Sequence, residues 1–289
     1  MSALVKSPPL SQPSLLAEIR ALGAIFYREW KIFLRYPSWV IALIVWPVIF
    51  PAMYILGARA LAGPDGSGLT QFLHAAGTDN FLGYIVIGTT VWMWQNIVLW
   101  DVGFALRQEQ WRGTLESNWI SPTFRFSFLI GSSLAQMVSV VIFLVVTLLE
   151  FTLFFGMRLD GSLWLGLLVI LAAIPAIYGL GFAFASLVIT AKEAQNFVFL
   201  VRGMVMIFCG ITFPVSVLPG WMQGVANWLP QTHVMNAMRK ALLTTGGLPA
   251  LLPDLEKLAL FGVFWLVAGY LLFVWMDRRA RKTGAIGQF

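Results

Sequence analysis

Residues 108–126 read QEQWRGTLESNWISPTFRF. Phe81 to Trp100, separated from them by seven residues, is uncharged and mostly apolar, and from their last residue runs Phe126 to Leu149, which is the same. An apolar run of about 20 residues matches the hydrocarbon thickness of a bilayer when it is helical. The short polar segment is therefore a connection between two membrane-spanning helices, and the fold follows from finding the other runs.

Uncharged runs of that size recur at Ser38 to Ala58 and at Gly161 to Ala191. Gly203 to Met238 is too long for one span and is interrupted by Pro214, Pro219 and Pro230, so its first part, Asn196 to Leu218, is expected to form the fifth span. The remainder, up to Met238, predicts short re-entrant helices on the outer face. Irregular backbone is tolerated at that depth where protein or water covers it. Leu258 to Met276 supplies the sixth span. The expected fold is an all-α integral membrane protein of six transmembrane helices. Composition agrees, since the 289 residues are 59% hydrophobic and 11% charged, against about 25% charged in a soluble domain.

Orientation follows from the loops, because Lys and Arg are retained on the cytoplasmic side. With both termini inside, the cytoplasmic side collects Lys6, Arg20, Arg28, Lys31, Arg35, Arg107, Arg112, Arg125, Lys192 and the group Arg278, Arg279, Arg281, Lys282. The outside receives only Arg59, Arg158, Arg239, Lys240 and Lys257. Residues 108–126 are thus expected in the cytoplasm. The net charge of +6 has a topological origin, and no basic face interleaved with aromatics points to nucleic acid.

Ahead of the first span, LLAEIRALGAIFYREWKIFLRYPSW (Leu15 to Trp39) spaces Leu15, Ile19, Leu22, Ile25, Phe26, Ile32 and Phe33 among Arg20, Arg28, Lys31 and Arg35. That pattern predicts an amphipathic interfacial helix over 14–36, with Pro37 turning the chain into the bilayer. Residues 1–13 are expected to be a disordered tail, and 37–289 the transmembrane domain with a basic C-terminal tail. No removable signal peptide is evident.

Several chemistries are missing. A phosphate-binding loop needs G-x-x-x-x-G-K-[ST], and the nearest run, GPDGSGLT (Gly63 to Thr70), has Leu69 in place of the lysine. There is no H-E-x-x-H and no G-x-S-x-G, and His74, His233 and the single Cys209 make no metal-ligand set. The chain is expected to bind no cofactor and catalyse no reaction, so energy must come from a partner. Asp101, Glu150 and Arg202 lie near span ends. Trp92, Gln95, Asn96 and Gln136 are candidates for lining a substrate path, or for bonding one helix to another.

Within the polar segment, Trp111, Leu115 and Trp119 recur every four residues, which predicts one face of a short amphipathic helix, with Arg112 and Glu116 as an i,i+4 pair on another. Gly113 supplies backbone freedom. Thr114 suits an N-cap, with Glu116 in the first turn, and Ser121-Pro122 ends this helix and starts the next. A plain loop anchored by tryptophans is the competing reading.

RQEQWRGTLESNWISP (Arg107 to Pro122) also resembles the cytoplasmic signature of the type-2 ABC exporter permeases: an acid shortly before Gly-Thr-Leu-Glu, then Ser-Pro. LPGWMQGVANWLPQTHVMNAMRKAL (Leu218 to Leu242) resembles their broken segment between spans five and six. The resemblance implies a permease that pairs with a second copy, most simply as a homodimer in the plasma (inner) membrane, and with two ATP-binding cassette subunits that hold ATP and Mg. It implies coupling to those subunits through Glu109, Trp111, Arg112, Gly113, Thr114, Leu115, Glu116, Ser121 and Pro122. The cargo would be drug-like, lipid-linked or otherwise amphipathic. A membrane assembly component without transport of its own is the alternative. A haem exporter would be expected to carry histidines in its spans, and an ion-coupled transporter mid-membrane acids or inverted repeats; the sequence shows neither.

Overall fold

The computed structural model describes residues 14–62, 70, 74–121, 123–188 and 194–283. Residues 1–13, Gly63 to Leu69, Pro122 and Lys192 lie outside the described residues. Those described are helical with connecting turns, and no strand occurs among them.

Helix α1 spans Leu15–Arg35; Ser14 accepts a hydrogen bond from the Ala17 amide at 3.3 Å and Glu18 occupies the first turn. The helix stops at Tyr36, whose extended backbone (φ −111°, ψ 91°) is what a residue before proline adopts. Pro37 then opens α2, Pro37–Leu61, where a missing amide costs nothing. α3, Phe81–Asp101, is capped by the Asn80 side chain, which accepts from the Gly83 amide at 2.8 Å. Two short helices follow, α4 (Ala105–Trp111) and α5 (Leu115–Ile120). α6 covers Phe126–Phe155 and ends on Gly156 in the left-handed region; α7 covers Leu163–Val188. α8 is Ala194–Phe208, α9 Gly220–Asn227, α10 Pro230–Leu243 and α11 Gly247–Thr283.

Five helices, α2, α3 (continued through α4), α6, α7 and α11, are long and apolar enough to cross a membrane. α3 is nearly enclosed by its neighbours, whereas α2, α6 and α11 leave most of their apolar surface uncovered, as expected where lipid or another subunit takes the place of water. α11 lies along α7, at a crossing where Gly179 and Gly269 face each other: a Cβ on Gly269 would stand 2.8 Å from the Gly179 carbonyl oxygen. Small residues at such a crossing let the backbones approach.

The expected fifth span, Asn196 to Leu218, is not one helix. α8 has 15 residues, about 22 Å of rise, and is shorter than the hydrocarbon core. It ends because Gly210 takes a left-handed φ of 68° and Pro214 prevents resumption. The freed carbonyls of Gly210 and Ile211 accept from the buried Arg239 guanidinium of α10, at 2.9 and 2.8 Å. The short helices expected after it are present as α9 and α10, and α10 is packed into the protein along nearly its whole length. The last helix begins earlier than expected, at Gly247, and passes through Pro253.

Candidate functional site: the polar segment and its anchors

α4 and α5 together form a helical hairpin at one end of the bundle. The turn between them follows from Gly113, at φ 70°. Its amide donates to the Gln110 carbonyl at 2.9 Å and the Thr114 amide to the Glu109 carbonyl at 3.0 Å, the paired bonds of a Schellman stop. The single helix expected from Trp111, Leu115 and Trp119 is therefore two. Leu115 and Trp119 are buried, while Trp111 is 62% exposed and leans on Phe104. The expected Arg112–Glu116 pair is likewise replaced: Arg112 donates to Glu109 at 3.1 Å, and Glu116 is exposed with no ion pair among the described residues. Thr114 sits at the N-cap position of α5, but its hydroxyl donates to Glu109 at 2.7 Å and caps nothing.

Glu109 is the centre of the arrangement. It is 1% exposed and accepts from Arg28 at 3.0 and 3.3 Å, from Arg112, from Thr114, and from the Asn118 amide at 2.6 Å. A carboxylate offers acceptor sites only, so the donors from α1, from the turn and from α5 all converge on one buried anion. Charge-assisted bonds of this kind are stronger than neutral ones. Arg28 also binds its neighbour Glu29 and lies over the Phe128 ring, 5.3 Å from its centroid.

Two further carboxylates clamp the rest of the segment. Glu18 of α1 accepts from the Phe124 amide and the Ser127 hydroxyl, each at 2.7 Å. Asp277 of α11 accepts from the Trp119 indole at 2.8 Å and from Arg125 at 3.1 Å. Arg107 reaches the Val188 carbonyl of α7 at 2.9 Å. The hairpin is thus tied to the first, seventh and last helices, and what projects is a tip carrying Trp111, Arg112, Gly113, Thr114, Glu116, Ile120 and Ser121. Ile120 is 82% exposed. Glu18, Asn118 and Asp277 were not among the residues singled out in the sequence, and Arg28 was named only as one of the basic residues of α1, because their partners lie as far as 158 positions away.

The candidate path residues divide. Trp92, Gln95 and Asn96 are buried in α3, with Trp92 stacked on Phe50 at 4.7 Å, Arg202 over its ring at 4.7 Å, and Asn96 donating to the Trp92 carbonyl at 3.0 Å. Gln136 of α6 accepts a hydrogen bond from Tyr178 and borders a cavity of about 300 Å³ between α1, α2, α3 and α6. α3 faces that cavity with Met93, Ile97 and Asp101 and not with the three residues named above.

The ABC-2 type transporter family matches the chain over residues 20–243, from within α1 to the last residue of α10. The chain belongs to that family. It is also similar to the daunorubicin resistance ABC transporter permease protein DrrB1 of Streptomyces coeruleorubidus, 25% identical over 254 residues that cover 82% of this chain and 80% of that one. The protein is therefore the integral membrane permease subunit of an ABC transporter, a family whose ATP-hydrolysing subunit is a separate partner. The hairpin and the helix that anchors it, from Arg20 onward, fall inside the matched region of this ABC-2 permease.

Proposed function

We propose that this permease exports an amphipathic, drug-like or lipid-linked substrate outward across the plasma membrane, driven by ATP and Mg bound on the partner subunits. Two copies of the chain would pair, each receiving one ATP-binding subunit at its α4–α5 hairpin. Both termini, α1 and the hairpin lie on the cytoplasmic side in this reading, and the basic α1 lies in the inner headgroup layer. α8, with the segment up to Leu218, serves as a short fifth span, and α9 and α10 are re-entrant at the outer face.

The observation that carries the proposal is the anchoring of the hairpin. A tip that exposes Trp111 and Ile120 suits insertion into an apolar cleft, and the base of the segment is fixed to α1 through Glu109 and Glu18 and to α11 through Asp277. Closure of the ATP-binding subunits would displace the tip, and the charged anchors would pass that displacement to α1 and α11. A conformational shift needs a difference in interaction free energy between states, and ATP held between the partners supplies it. DrrB1 is named for daunorubicin resistance, which makes a drug-like cargo the first to try.

The test is co-expression with a candidate ATP-binding subunit, gentle extraction and co-purification, followed by transport in vesicles. Glu116→Arg and Gly113→Pro are each expected to abolish transport while membrane insertion is retained. Full transport by either variant would refute the hairpin's coupling role, and failure of any ATP-binding subunit to co-purify would refute the exporter reading.

A further inference from the structure

The cavity between α1, α2, α3 and α6 combines three features that point to a ligand. The first is aromatic: Trp30 and Phe33 of α1, stacked at 5.4 Å, and Trp39 and Trp46 of α2 form part of its lining. The second is an unbalanced charge. Of three carboxylates on the lining, Glu29 and Glu109 are both bound by Arg28, and Glu109 also engages Arg112. Asp101, the last residue of α3, makes no ion pair among the described residues. The third is Gln136, buried on the α6 wall, whose Oε1 is used by Tyr178 and whose Nε2 has no partner among the described residues.

Asp101 is exposed at the end of its span, and an ionisable residue of a membrane span that finds no ion pair among the described residues is a candidate functional position. Aromatic faces attract cations through the ring quadrupole. A neutral acyl chain in this cavity would leave Asp101 unbalanced, and an anion would meet three carboxylates against a single arginine already committed to one of them.

We propose that this cavity is a binding site for an amphipathic organic cation. Asp101 supplies the counter-charge, the tryptophans and Phe33 hold the apolar body, and Gln136 offers a donor to any acceptor on the ligand. The assignment rests on the exporter reading only for its purpose, as the place where cargo is taken up at the inner leaflet; the binding itself needs the permease alone.

The test uses purified full-length permease in phosphatidylcholine nanodiscs and two probes of nearly the same shape, radiolabelled tetraphenylphosphonium and tetraphenylborate, measured separately against empty discs. The wild type should bind the cation saturably and the anion no better than empty discs do. Asp101→Asn should weaken cation binding about tenfold or more, Asp101→Glu should preserve most of it, and Trp30→Ala should weaken it with Asp101 intact. Helicity and elution volume identify any variant that fails to fold; should Asp101→Asn be one, the Asp101→Glu and Trp30→Ala pair decides. Equal affinity in wild type and Asp101→Asn, equal binding of both probes, or a cavity already filled by lipid so that neither binds saturably would each overturn the proposal. None of these results bears on co-purification with an ATP-binding subunit, so the two readings fail separately.

Discussion

Arg28 on α1 donates two hydrogen bonds, at 3.0 and 3.3 Å, to the buried carboxylate of Glu109 on α4, 81 positions away. That contact joins the helix preceding the first span to the turn between the second and third long helices. A hydrogen bond to a charged group is worth about 1.5–3 kcal/mol, and less where one partner is partly solvated, as Arg28 is. Glu109→Gln keeps the shape and gives up the charge. It is expected to lower thermal stability modestly and to reduce transport by tenfold or more. A double-mutant cycle with Arg28→Met should yield a coupling of about 1 kcal/mol; strict additivity would show that the two side chains do not act together.

Two tryptophans of the hairpin should separate folding from partner binding. Trp119 is buried and its indole is held by Asp277, so Trp119→Ala creates a cavity and removes a hydrogen-bond donor. It is expected to destabilise the protein by about 3–5 kcal/mol, seen as a lower melting temperature. Trp111 is mostly exposed, so Trp111→Ala should leave the melting temperature unchanged and weaken association with the ATP-binding subunit by tenfold or more in a titration. Unchanged affinity in Trp111→Ala would remove this side chain from the docking surface.

The long apolar runs were legible in the sequence because a helix in lipid must satisfy its own backbone and present apolar side chains on all sides. What periodicity could not show is where a helix stops. Trp111, Leu115 and Trp119 share a face only if the helix continues through Gly113, and a left-handed glycine breaks that register. In the same way the uncharged letters from Ile211 to Phe213 continue the run of α8, while the chain turns at Gly210 and is held by Arg239 from 29 positions on. The acid at Glu109 was visible as part of a motif; its donors Arg28 and Asn118 were not, since a one-dimensional pattern carries no record of which distant side chains meet.

Arg239 stabilises the break after α8. It donates to Gly210, Ile211 and Tyr84 carbonyls and stacks on the Tyr84 ring. Removing it leaves buried carbonyls without donors, at a cost of about 1–3 kcal/mol for each group left unsatisfied. Arg239→Ala is expected to loosen this segment, and Cys209 reports it directly, being the only cysteine and 1% exposed. Maleimide labelling of Cys209, negligible in the wild type, should become rapid in Arg239→Ala and intermediate in Arg239→Lys, whose ammonium cannot reproduce the planar fork. Equal labelling in all three would mean that Arg239 does not hold the break.

The α7–α11 crossing allows the most local test of the membrane fold. A Cβ on Gly179 would lie 2.6 Å from the Leu266 amide nitrogen, a backbone atom that cannot rotate aside, so the two helices must separate to admit even a methyl group. Overpacking of this kind costs about 1–3 kcal/mol. Gly179→Ala is expected to lower the melting temperature, and Gly179→Val to lower it further, because the added methyls widen the same gap. Gly57 of α2, by contrast, has nothing within 4 Å of such a Cβ, and Gly57→Ala should be neutral or slightly stabilising through helix propensity. A melting temperature that falls equally for Gly57→Ala and Gly179→Ala would show that the loss reflects glycine content and not the closeness of this one crossing.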